Sequence, residues 1–335
     1  MREWLETRRE RAERSAARGE ARGAPDAEAQ ARRAAQRTGR VEQGLAELER
    51  WLSDLVRGGV AAAPSRSYAY WDAAAARLVD AQAPRLARRV RELAGAALAR
   101  DEWTERLVGD LGRLALLVDA ARHLDELPPD LAAEVRSQLG FTVPSEEVAR
   151  GEAAEDDWHV VGQVLLEEER LRTRRTWLVG EGSGARALLM AFAAGVQPLE
   201  PALAPGTIHR AALAWYPGAP PTRALVVGDA AAVGVMDRLP PGGAVEGALA
   251  QHADALAQNP WHRRTLVLLE AVRMVRREGR WHAVDAVGDA LPLVRGDHWP
   301  LVAFGGGGEV ALAGEWYGRA LAPLAVAAEG RVVAL

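Results

Sequence analysis

The chain has 335 residues, is 49% hydrophobic and 26% charged, and carries a net charge of −4. These are the proportions of an ordinary globular protein long enough for two or three domains. It contains no cysteine, which excludes disulfides and thiolate metal sites, and its acidic balance argues against broad nucleic-acid binding, which needs a basic surface. No stretch approaches about 18 uncharged apolar residues and no apolar leader opens the sequence, so neither a membrane span nor a secretory signal is expected, and the default compartment is the cytoplasm.

All 42 basic residues are arginine. Because the replacement of lysine is total rather than clustered, it reads as compositional bias. The first 22 residues are predicted to form an exposed helix in which arginine and glutamate alternate, as in Arg8-Arg9-Glu10-Arg11-Ala12-Glu13-Arg14. Such spacing makes a solvated face stitched by i,i+4 pairs, or an arm for an acidic partner. Gly23-Ala24-Pro25 breaks it. A second helix is predicted from Asp26 to Arg57, because Val41, Leu45, Leu48, Leu52 and Leu55 recur at alternating four and three. Gly58-Gly59 supplies its left-handed cap. Further helices run from Ser67 to Gly140: one carries Trp71, Leu78 and Val79, one starts at Pro84, and one is N-capped by Asp101 and carries Leu107, Leu111, Leu114 and Val118. Short connections predict an antiparallel bundle.

Period-two alternation begins near Trp158 and signals strands. Arg172–Val179 and Ala185–Phe192 flank the glycine-rich loop Gly180–Gly184 as a hairpin. Thr207–Trp215 and Thr222–Val227 flank a second turn. Val245 to Glu278 reads as helix broken at Pro260, and Trp281 to Leu335 returns to strands. The expected fold class is therefore α+β, an N-terminal helical bundle followed by antiparallel β-hairpin domains with an intervening helical segment. The expected boundaries are an exposed charged helix at 1–24, the bundle at 25–150, a β-domain at 157–230, linker and helices at 231–280, and a C-terminal β-meander at 281–335.

Several segments, in this order, resemble bacterial SWIM zinc-finger proteins. They are REWL at Arg2–Leu5, GLAELERWLSDLVRGG at Gly44–Gly59, VDAQAPRLARRV at Val79–Val90, RLRTRRTWL at Arg170–Leu178, WYPGAP at Trp215–Pro220 and GEWYGR at Gly314–Arg319. The resemblance places these residues downstream of the family's Cys-x-Cys…Cys-x-His motif, whose ligands would precede Met1. Zinc is implied only if that motif lies upstream, and residues 1–335 themselves are expected to hold no cofactor. As partners the resemblance implies protein, with a MoxR-type AAA+ ATPase and a von Willebrand factor A protein as candidates, or nucleic acid reached through the finger. No membrane partner is expected.

The residues offer little chemistry of their own. None of the seven histidines pairs as His-x-x-x-His, so a zinc site within the sequence is not expected. Four adjoin tryptophan (Trp158-His159, Trp261-His262, Trp281-His282, His298-Trp299). In a strand this places one ring inside and one in water; a π-rich ligand surface is the sharper alternative. Gly180–Gly184 and Gly305–Gly308 read as turns, since a phosphate loop would need Gly-Lys-Ser/Thr opening a helix. Glu167 to Arg175 reads as a charged strand pair, with acids opposite Arg172, Arg174 and Arg175. No nucleophile and base stand out. The expected function is a non-catalytic protein-interaction scaffold, with Arg8, Arg9, Arg11 and Arg14 meeting an acidic surface. Trp177, Trp215 and Trp316 would be core, or interface anchors where exposed. A nucleic-acid-associated protein and an unrecognised enzyme are the alternatives; a pocket of convergent His, Asp or Glu would mark the latter.

Overall fold

Leucine at helical spacing builds the first half of the fold. A computed structural model describes residues 27–98, 103–168, 171–195 and 197–335. The predicted charged helix with Arg8, Arg9, Arg11 and Arg14, and the predicted cap Asp101, lie outside the described residues. Helix α1 spans Ala27–Arg57 and ends where Gly59 turns to φ 86°, a conformation costly for any residue with a Cβ. A short 3₁₀ turn leads to α2, Tyr68–Asp80. Gln82 at φ 60° reverses the backbone, and Pro84 opens α3, Pro84–Ala97, where its missing N–H costs no hydrogen bond. Helix α4 is Trp103–Arg122. α1 and α3 each contact both α2 and α4, so the four helices close into a bundle around Leu48, Leu55, Leu78, Leu86, Leu93 and Leu107. Fully burying each such leucine contributes about 2 kcal/mol. Trp51 and Trp71 meet edge-on at 5.8 Å, and Glu49 takes both guanidinium nitrogens of Arg122.

The described residues divide into two compact units, a helical one through Arg122 rejoined by Gln138–Gly140, and a second of His123–Ser137 and Phe141–Leu335. Helix α5, Pro129–Leu139, is shared between them, and a short helix α6, Ser145–Ala149, belongs to the second. The bundle therefore does not extend to residue 150 as expected from sequence.

In the second unit, strands β1 (Ala153–Glu168), β2 (Leu171–Gly180), β3 (Arg186–Ala194), β4 (Thr207–Trp215) and β5 (Arg223–Val235) close a barrel in the order β1-β2-β3-β5-β4. α6 packs on β4 and β5, with Val148 buried. The β3–β5 contact is a short parallel one and the rest are antiparallel. Trp158, Val160, Leu178, Leu189 and Leu213 belong to the barrel core, and the Trp158 indole donates to the Ala211 carbonyl at 3.0 Å.

Helix α7, Val245–Gln258, precedes a six-stranded sheet. Its strands are β6 (Thr265–Arg277), β7 (Arg280–Val284), β8 (Ala290–Pro292), β9 (Val310–Trp316), β10 (Leu321–Ala328) and β11 (Arg331–Ala334). The order is β11-β10-β9-β6-β7-β8. Helix α8, Trp299–Phe304, interrupts the predicted meander.

Three expectations are corrected here. Residues 265–277 are a strand, not the end of a helix. In β6, Val267 and Leu269 pack with Val245 of α7 and Leu301 of α8, while Leu266 and Leu268 pack with Val161 and Trp177 of the barrel. A strand buried on both faces loses its alternation, and its apolar run mimics a buried helix. β5 runs on to Val235, past the predicted Val227, because its small residues from Gly228 to Gly234 carry no apolar rhythm to read. β1 begins at Ala153 rather than 157, where its acidic start pairs with β4.

Candidate functional site

The outer face of β2 meets the barrel-facing side of β9, and two of the motif segments come together there. Arg175 and Trp177 are two apart on β2 and so share a face. Glu315 of β9 pairs with Leu266 and points the same way as that residue, toward the barrel. Its carboxylate is fully buried and accepts from four donors. Oε1 takes Arg175 Nε at 3.0 Å and Trp177 Nε1 at 2.7 Å; Oε2 takes Arg175 Nη2 at 2.8 Å and the Tyr317 hydroxyl. Burial alone would raise the Glu315 carboxyl, but hydrogen bonds from Arg175, Tyr317 and Trp177 outweigh it and hold the carboxyl below its ordinary range. Burial likewise opposes the Arg175 charge, and Glu315 restores it and raises the guanidinium above its usual value. With both oxygens engaged, Glu315 is a structural clasp between barrel and sheet rather than an acid or base.

Beside the clasp lies a pair of histidines that sequence spacing did not join. His252 of α7 and His262 have ring centroids 5.9 Å apart. Both reach the Thr265 hydroxyl, His252 through Nδ1 at 2.8 Å and His262 through Nε2 at 2.9 Å. Burial, reinforced by His252 and Arg264, pushes His262 down to about 4, so its ring is neutral at pH 7. Thr265 is itself buried and its oxygen is caught between two imidazoles, an arrangement that orders the rings.

A cleft of about 510 Å³ opens against these groups, lined by Trp177, Arg186, Pro220, Asp254, His262 and Arg264 among others. The predicted site residues fall differently. Trp177 is 1% exposed and Trp316 5%, so both are core and cannot anchor a partner in the folded protein. Trp215 is half-buried against Trp158, at 5.9 Å. The charged strand pair holds only at Glu167 opposite Arg172; Arg174 lies opposite Leu165 and Arg175 opposite Val164. Instead, Arg174 reaches the carbonyls of Leu199 and Pro201. Arg175 turns to Glu315, an acid 140 positions away that no strand register could reveal.

The Gly180–Gly184 loop is a turn, and its anion cradle is filled from within. The Asp156 carboxylate accepts from the backbone of Gly182 at 3.0 Å and of Ser183 at 2.9 Å, and from the Ser183 hydroxyl at 2.6 Å. Burial raises Asp156, but Ser183 and the backbone N–H groups lower it further, below the ordinary aspartate value. Of the Trp–His neighbours, Trp158, Trp261 and Trp281 are buried beside half-buried histidines, while Trp299 is exposed.

The sequence has no cysteine, and among the described residues no three or more His, Asp or Glu are grouped to hold a metal. Nor is any helix among the described residues long and apolar enough to cross a membrane.

On the outer face of the barrel, apolar side chains run on beyond the sheet that covers it. Leu166 lies opposite Thr173, and Thr173 opposite Phe192. Leu171 is next in line on the same face. Leu166, Leu171 and Phe192 are 39%, 44% and 54% exposed.

Comparison with known proteins gives one match. Residues 36–139 match the family model of the SWIM-associated four-helix bundle domain. No curated protein and no solved structure matches. The matched span runs from Gln36 in α1 to Leu139 at the end of α5 and so takes in the bundle of α1–α4 described above. Over these residues the chain is similar to the SWIM-associated four-helix bundle domain.

Proposed function

We propose that the protein is a non-catalytic protein-interaction scaffold, the post-finger body of a SWIM-type protein. The observation that supports this most is the uncovered strip Leu166–Leu171–Phe192. Exposed apolar side chains grouped on one strand face, here around Thr173, lower their free energy only when another surface covers them. The same outer face already docks one β-layer within this protein, through Trp177 and Val161, so it is shaped for apolar contact. The family resemblance supplies the candidate partners, a MoxR-type AAA+ ATPase and a von Willebrand factor A protein.

The test is a double variant, Leu166→Asp with Phe192→Asp, assayed by co-elution and calorimetry with each purified candidate. Wild type should form a complex that persists as salt rises, and the variant should lose it while keeping its unfolding midpoint. Surface changes of this kind cost within about 0.5 kcal/mol. Absence of any complex, or binding to nucleic acid that weakens steeply with salt, would refute the reading in favour of the nucleic-acid alternative or neither.

A further inference from the structure

A buried positive charge without a counter-ion is costly, and proteins seldom leave one so. The clasp at β2 and β9 holds one carboxylate, Glu315, already engaged by Arg175, Trp177 and Tyr317. Arg264 sits beside it as a second guanidinium. Its Nε is buried with no hydrogen-bond partner, and its carbon lies 5.8 Å from the Tyr317 ring. Burial weakens its charge first and Arg175 repels it next; Glu315 and Tyr317 only partly offset them. Arg186 is in similar straits. Its hydrogen bond goes to a neutral acceptor, the Leu266 carbonyl at 2.9 Å, and burial lowers its pKa with no carboxylate opposing.

Both arginines line the same cleft of about 510 Å³, a volume that suits a small molecule. The carboxylate among the lining residues, Asp254, is on the exposed side of α7 and is not among the groups that act on Arg264. The apolar part of the lining that reaches the surface is Pro220 and Pro221.

We propose that this cleft is a binding site for a small ligand bearing an oxyanion, a carboxylate or a phosphate, gripped by Arg186 and Arg264 with its apolar part against Pro220 and Pro221. Planar guanidinium groups match both anions through paired N–H donors. The ligand supplies a negative charge beyond that of Glu315, which serves Arg175 and only partly offsets the burial of Arg264.

The full-length protein is titrated with inorganic phosphate and, separately, with benzoate, at constant ionic strength held with chloride. Binding is read by calorimetry and by the rise of the unfolding midpoint, which follows ligand concentration over Kd. Saturable binding of either probe is expected, and the probe that binds names the anion. Arg264→Gln and Arg186→Gln should each weaken it at least tenfold. Asp254→Asn, on an exposed helix position, should tighten it, and keeps the test decisive if an arginine variant fails to fold. Failure of both probes to bind, equal binding by wild type and arginine variants, or unchanged affinity in Asp254→Asn would overturn the proposal. None of these results bears on the apolar strip of β1–β3.

Discussion

Removing Glu315 tests whether the buried clasp is the joint that the geometry makes it. In Glu315→Ala the carboxylate goes, and the Arg175 guanidinium, buried with it, keeps a charge that has no nearby counter-ion. Trp177 Nε1 loses its acceptor at 2.7 Å, and Tyr317 loses its own. Breaking a buried pair from one side costs about 3–5 kcal/mol. For a unit of about 150–250 residues each kcal/mol lowers the midpoint by about 2–4 °C, so the loss is about 6–20 °C. Calorimetry that separates the helical transition from the β transition should show only the second one move. The control is Arg175→Met with Glu315→Leu. Taking both charges out together removes the desolvation cost as well as the attraction, so the double variant should recover most of the loss. The pH dependence has a definite sign. The Glu315 carboxyl is lowered in the folded protein, so its contribution is complete above the unfolded value of about 4.3 and fades as pH falls through its own lower value. The gap between wild type and Glu315→Gln should therefore be wide at pH 7 and shrink below about pH 4. A single-variant cost below about 1 kcal/mol, or a double variant as unstable as the sum of the singles, would refute the clasp.

Other outcomes follow from the same geometry. A Cβ at Gly44 in α1 would sit 2.6 Å from the Ala81 Cβ, whereas one at Gly95 in α3 would meet nothing within 4 Å. Chemical denaturation should then show Gly44→Ala destabilised by about 1–3 kcal/mol through overpacking and Gly95→Ala stabilised by about 0.5–1 kcal/mol through helix propensity. At the seam of barrel and sheet, a Cβ at Gly162 would lie 2.6 Å from the Leu324 Cβ, and Gly162→Ala should lower the midpoint of the β transition. Asp156→Ala empties the Gly180–Gly184 cradle; hydrogen exchange should rise at Gly182 and Ser183, with a loss of about 1–2 kcal/mol at neutral pH that vanishes in acid. His262, neutral in the fold with a pKa of about 4 against about 6.5 unfolded, makes stability fall as pH drops between those values, because the unfolded ring takes the proton first. His262→Gln should flatten that slope, and the wild-type ring resonances should titrate near pH 4 rather than about 6.5.

Local pattern carried far in this protein. The four-three rhythm from Val41 to Leu55, the proline at 84 and the leucines of α4 specify a bundle whose buried face is legible residue by residue, since each helix hides one stripe and wets the rest. Glycine-rich turns specify the hairpins equally well, because their backbone demands are local. The loop at Gly180 also read correctly as a turn, although the acid that fills it, Asp156, lies on another strand.

What local pattern could not decide was everything that depends on two faces or two distant segments. β6 is apolar on both sides because a barrel covers one and two helices cover the other, and a sequence window sees only an unbroken run. Arg175 and Trp177 lie on one motif segment and Glu315 and Tyr317 on another. Their alternation shows which residues share a face but not which faces meet. Sequence alone determined the helical bundle, the hairpins and the absence of thiol chemistry, because propensity, capping and composition act within a few residues. Only the tertiary structure decided which arginine is neutralised and which is left lining a cleft, because a buried charge is balanced by groups that reach it through space, not along the backbone.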